Sequence, residues 1–101
     1  MEYRIDSAEQ GLSAYITGRL TFNDHAKIRS LIAEALAGVS NTVCFDLDEL
    51  QFIDSAAVGM LLIAHEELNK SGRRLVLRNA TGQVKRVITV AQLSKVITVE
   101  E

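Results

Sequence analysis

The residues that could carry chemistry concentrate in one stretch, Asp46-Leu47-Asp48-Glu49-Leu50-Gln51-Phe52-Ile53-Asp54-Ser55-Ala56-Ala57-Val58-Gly59-Met60. Carboxylates lead up to a single hydroxyl, and the apolar pattern turns helical at Ser55. Ser55 therefore stands at or beside a helix N-cap, where backbone N–H groups lack intrahelical partners. Those donors and the helix dipole favour negative charge, so the position suits a phosphate carried on the hydroxyl. Ala56, Ala57 and Gly59 are small enough for another protein's backbone to come close to the first helical turn. The competing reading makes Ser55 a cap and nothing more, a role worth about 0.5–2 kcal/mol. Spacing alone does not separate the two.

Other chemistries find less support. Asp46 or Asp48 at a strand end could serve as the phosphoacceptor of a receiver-like domain. That chemistry needs an acidic pair after the first strand and a lysine near a later strand end; no acidic pair follows the opening strands, and no lysine falls in the 74–78 strand. His25 reads as a solvent-facing residue and His65 as a packed or edge residue; neither has a partner at zinc-ligand spacing. The single cysteine, Cys44, cannot form an internal disulfide and reads as core filler. There is no glycine-rich phosphate loop and no nucleophile–base–acid set, so neither an enzyme nor a cofactor or metal is expected. Glu66-Glu67 and Lys85-Arg86 read as solvated faces, the latter also as a possible docking rim.

Composition sets the frame for these residues. The chain has 101 residues, 48% of them apolar but only 5% aromatic, with no Trp and no Pro. One domain spanning 1–101 with an aliphatic core is expected, and little room is left for a deep cleft. A net charge of −2 with no basic stripe argues against a nucleic-acid partner. The polar start MEYRIDSAEQ is unlike a secretory signal. The run Val58–Ala64, broken by Gly59, is far too short to cross a bilayer. A soluble, cytoplasmic protein without a membrane partner is the expectation.

The elements that must position Ser55 follow from periodicity. Segments 3–7 and 12–18 read as strands joined by a turn at Glu9-Gln10-Gly11, a hairpin. A helix is expected over 23–38, its inner face formed by Ile28, Leu31, Ile32, Ala35, Leu36 and Val39. Thr21 or Asn23 would cap its start, and Gly38 would end it in the left-handed conformation. Segment 42–47 predicts a central strand, followed by an acidic loop. A second helix runs from Ser55 to about Asn69 with Val58, Leu61, Leu62, His65 and Leu68 inward, and Ser71-Gly72 ends it. Segment 74–78 is a strand, Thr81 caps a helix over 82–92 with Val84, Val87, Ile88 and Ala91 inward, and 95–99 is the last strand. The order β-β-α-β-α-β-α-β predicts an α/β fold: a mixed sheet with an N-terminal hairpin, parallel right-handed crossovers and three helices mainly on one side.

The run Asp48-x-Leu50-x-Phe52-Ile53-Asp54-Ser55-Ala56-Ala57-Val58-Gly59-Met60-Leu61 resembles the signature of STAS domains in bacterial anti-sigma-factor antagonists. Tyr15-Ile16-Thr17-Gly18-Arg19-Leu20, Gly72-Arg73-Arg74-Leu75-Val76-Leu77 and Val84-Lys85-Arg86-Val87 extend the resemblance over almost the whole chain. It implies a STAS-like fold and a partner switch. The unphosphorylated protein would bind a GHKL-type serine kinase that is also an anti-sigma factor. Phosphorylation of Ser55 would release it, and a metal-dependent serine phosphatase would reset it. The partner-binding surface implied comprises Asp54, Ser55, Ala56, Ala57 and Gly59, with Thr21 and Asp24 beside it. Many relatives carry an acidic residue where this chain has Thr21, and Asp24 is the carboxylate that could compensate. Many also carry a second hydroxyl where this chain has Ala56, which removes an alternative phosphoacceptor. The other function compatible with the fold is a STAS subunit that never cycles phosphate, serving a larger assembly such as a lipid-transport ATPase complex.

Overall fold

The computed structural model describes residues 1–8 and 11–101; the turn expected at Glu9-Gln10 lies outside them. The elements are β1 (Glu2–Ala8), β2 (Gly11–Leu20), α1 (His25–Ala37), β3 (Thr42–Asp46), β4 (Leu50–Ile53), α2 (Ser55–Lys70), β5 (Arg74–Arg78), α3 (Gly82–Val90) and β6 (Thr98–Glu100). Short 3-10 turns at Phe22–Asp24 and Leu93–Lys95 precede α1 and β6.

The strands form one mixed sheet in the order β1-β2-β3-β5-β6. β1 pairs antiparallel with β2, and β2-β3, β3-β5 and β5-β6 are parallel. β2 is long enough to use one edge twice: Leu12–Tyr15 pair with β3, and Gly18–Leu20 pair with β4, with a register shift between Gly18 and Arg19. The period-2 alternation of the strands puts Leu12, Ala14, Ile16, Val43, Phe45, Leu75 and Leu77 on one face, buried beneath the helices. The opposite face carries an in-register row across five strands, Arg4, Tyr15, Asp46, Arg78 and Glu100. Arg4 lies 4.4 Å from the Tyr15 ring centroid, and Arg78 pairs with Glu100 at 3.1 Å. Cys44 and Val76, also in register, are buried on that face.

Several expectations need correction. α1 stops at Ala37, so Val39 is not on its inner face but 95% exposed. Gly38 is extended (φ −80°, ψ −177°) rather than left-handed. The Arg73 guanidinium supplies what a glycine C-cap would have supplied, donating to the carbonyls of Ala35, Leu36 (3.1 Å) and Gly38 (2.8 Å). The loop before Ser55 contains a strand, β4, which the sequence reading missed. α2 buries Ala57, Met60, Leu61, Ala64 and Leu68, while Val58, Leu62 and His65 are half-buried. α3 ends at Val90 and leaves Ala91 exposed. The expected strand 95–99 is instead a 3-10 turn and a link, with β6 starting only at Thr98.

Candidate functional site

Ser55 is the first residue of α2, and the cap is its neighbour. Asp54 is extended (φ −98°, ψ −178°), and its Oδ1 accepts the Ala57 N–H at 2.9 Å. Its Oδ2 accepts the Phe22 N–H at 3.0 Å, from the turn that follows β2. Its own N–H donates to the Leu20 carbonyl at 3.3 Å, continuing the β2-β4 pairing. One aspartate thus joins the end of β2, the end of β4 and the start of α2.

A second clamp comes from α3. Among the described residues β4 pairs with β2 alone, which leaves its other edge open. There the Gln83 side-chain amide acts as a substitute strand: Oε1 accepts the Ile53 N–H at 3.0 Å and Nε2 donates to the Ile53 carbonyl at 2.8 Å. Both buried polar groups are satisfied by one side chain, which fixes the residue two positions before Ser55.

Between these clamps the Ser55 side chain is exposed, and its hydroxyl has no hydrogen-bond partner among the described residues. With Asp54 as the cap, the reading of Ser55 as a mere N-cap loses its physical basis. Ala56 is half-buried and Gly59 exposed. Ala57 departs from the expected docking surface: its side chain is 0% exposed in the core, and only its N–H serves the junction. Gly59 has negative φ, and a Cβ placed on it would meet no atom within 4 Å. No contact among the described residues therefore calls for glycine there, although glycine in a helix interior costs roughly 0.8–1 kcal/mol relative to alanine.

Thr21 and Asp24 lie at the neighbouring turn, half-buried and facing inward in their bonding. The Asp24 carboxylate accepts the Thr21 N–H at 2.8 Å and the Met1 ammonium at 3.0 Å. Burial pushes the Asp24 carboxyl up, but those two donors outweigh it and hold the group below the ordinary carboxylate range. Asp48 does not share the Ser55 surface; it sits in the turn after β3, its N–H on Asp46 Oδ1 at 3.0 Å. Asp46 also accepts from Asn79 Nδ2 at 3.1 Å, so this carboxylate is employed in holding the turn.

Two surface features escaped the sequence reading. Phe22 is 59% exposed, its ring edge-on to His25 with centroids 5.0 Å apart. Beside Ser55, between α2 and α3, runs an open groove of about 600 Å³ whose walls include Phe52, Val58, Arg86, Val87 and Val90. Val90 is 82% exposed. A helical period over α3 shows which residues face inward, but the outward Val90 and Phe22 have no signature in sequence until the fold leaves them exposed. Among the described residues no group of His, Cys, Asp or Glu is placed to hold a metal ion, and no helix is long and apolar enough to cross a membrane.

Comparison with known proteins fits this geometry. The STAS domain family matches residues 5–101. A STAS-domain-containing protein of Pseudomonas aeruginosa is 24% identical over 90 residues, covering 89% of this chain and 88% of its own. The fold is similar to that of the anti-sigma factor antagonist SpoIIAA in its unphosphorylated form, with a TM-score of 0.78, 23% identity, and 97% of this chain and 87% of that one covered. The phosphorylated form of the Bacillus cell fate determinant SpoIIAA aligns with a TM-score of 0.71 at 22% identity, covering 97% of this chain and 90% of that one.

Proposed function

This chain belongs to the STAS domain family, and we propose that within it the protein works as an anti-sigma-factor antagonist switched at Ser55. Unphosphorylated, the surface around Ser55 binds a GHKL-type serine kinase that doubles as an anti-sigma factor. The kinase transfers phosphate to the Ser55 hydroxyl and the complex separates. A metal-dependent serine phosphatase restores the starting state. The chain itself contributes a surface, not a reaction.

The observation that carries this reading is the display of Ser55: an exposed hydroxyl without an internal partner, at the head of a helix capped by the residue before it. Asp54 does the structural work, which leaves Ser55 free for another use. The exposed Gly59 one turn on, with open space where a Cβ would be, adds a place for close approach. A phosphate would bring about −1.5 to −2 charge to this surface beside the Asp54 carboxylate. A coupling of about 1–3 kcal/mol changes an affinity 5- to 150-fold, so release needs no change of fold.

Ser55→Ala and Ser55→Asp proteins used as paired baits in the native cytoplasm test the proposal. A GHKL-type kinase retained by the Ala protein and lost by the Asp protein is the expected result. The same assembly on both baits would replace the switch with the structural-subunit function.

A further inference from the structure

We propose that Arg86 receives the phosphate of Ser55: once the hydroxyl is phosphorylated, the Arg86 guanidinium pairs with it across the groove between α2 and α3. The inference rests on Ser55 being the phosphoacceptor and adds where the new charge goes. Four observations lead to it. Ser55 and Arg86 line the same groove. The Gln83–Ile53 clamp, at 2.8 and 3.0 Å, fixes α3 against the strand that leads into Ser55. Arg86 is three residues beyond Gln83, on the same helix face and about 4.5 Å further along the axis, within the reach of an arginine stem.

The fourth observation is which cations are free. Arg86 is exposed and has no ion pair or hydrogen bond among the described residues, whereas its neighbour Lys85 is taken by Glu101 at 3.0 Å. Arg19 is stacked 4.2 Å over the ring of Phe52, itself a wall of the groove. The Asp54 carboxylate lines the groove as well, and its two oxygens already accept the Ala57 and Phe22 N–H groups. A phosphate on Ser55 is thus repelled from the cap and drawn towards α3. Val58, Val87 and Phe52 line the groove between, and apolar walls weaken solvent screening of the pair. Pairing also has a consequence for the partner: phosphorylation withdraws a free guanidinium from the docking surface as well as adding negative charge.

The test installs phosphoserine at position 55 of the full chain during translation and follows the phosphate by phosphorus NMR as pH is varied at low salt. Arg86→Ala is expected to raise the second phosphate pKa by about 0.2–0.7 pH units, the range of exposed ion pairs. Arg86→Lys should recover part of the difference, and 1 M salt (a Debye length of about 3 Å) should erase it. Lys85→Ala and Arg19→Ala should titrate with the parent. Arg86→Ala titrating with the parent, or Arg19→Ala showing the rise instead, would overturn the assignment. Arg86 is exposed, so its loss leaves the fold intact. Failure of the switch itself shows elsewhere, as a Ser55 that no kinase phosphorylates, because an installed phosphate reports on Arg86 whatever its origin.

Discussion

Replacing Gly59 by alanine should make this protein more stable. Gly59 lies inside α2 on its exposed side, away from both ends, and the added methyl meets open space. No packing or strain is altered, so the change reduces to backbone entropy lost on folding, roughly 0.8–1 kcal/mol in favour of alanine. In a domain of about 100 residues that corresponds to a rise in Tm of about 4–8 °C. In urea, with a slope of about 1–1.5 kcal/mol/M, the midpoint should climb by about 0.5–1 M at unchanged slope. An unchanged or lowered midpoint would refute the claim that nothing in the chain senses position 59. On the proposed function, the same methyl should obstruct a partner seated on the first turns of α2, so the stabler protein should bind the proposed kinase more weakly, the kind of trade-off expected at a binding surface. A protein both stabler and fully competent in binding would remove Gly59 from the docking surface.

Two further outcomes are expected. Asp54→Ala removes a cap and a second backbone contact, so a loss of about 2 kcal/mol is expected; Asp54→Asn, an equally good cap, should keep most of it, measured by urea unfolding. Equal losses for both would mean that charge, and not capping, is what Asp54 supplies. The Tyr3 hydroxyl donates to the Glu34 carboxylate, and this bond, with lesser help from burial, pushes its pKa up to about 12. Because the folded value lies above the unfolded one near 10, the stabilisation is whole below pH about 10 and is lost as pH rises from there to 12. Phenolate absorbance should show this late titration in the parent and an earlier one in Glu34→Gln.

Much of the architecture was legible because its signals are local. Strand 74–78 and the start of α2 at Ser55 follow from alternation and from the onset of helical period. What escaped was set by tertiary contacts. β4 is four residues long and exists because the far end of β2 and the Gln83 amide supply its partners. Gly38 could be read only as a left-handed terminator, since nothing local predicts that Arg73 would take the last carbonyls of α1. The helical period of α2 finds Leu61 and Leu68, with Val58 and Leu62 packed at the edge of the core, but not Ala57, Met60 and Ala64, which are buried as well. At the candidate site, the helix start at Ser55 was legible, but the division of labour with Asp54 was not. That division depends on a bond to Phe22, and Phe22 belongs to another part of the chain.

The Gln83–Ile53 clamp also bears on when the site comes into being. Its two members are 30 residues apart in the chain. During synthesis Ser55 leaves the ribosome before α3 does, just after a strand, β4, whose outer edge still lacks the Gln83 amide. The serine is present then, but the shape around it is not. Only after the third helix folds back is the strand leading into Ser55 held on both edges, so on the proposed function a completed fold precedes recognition of that serine.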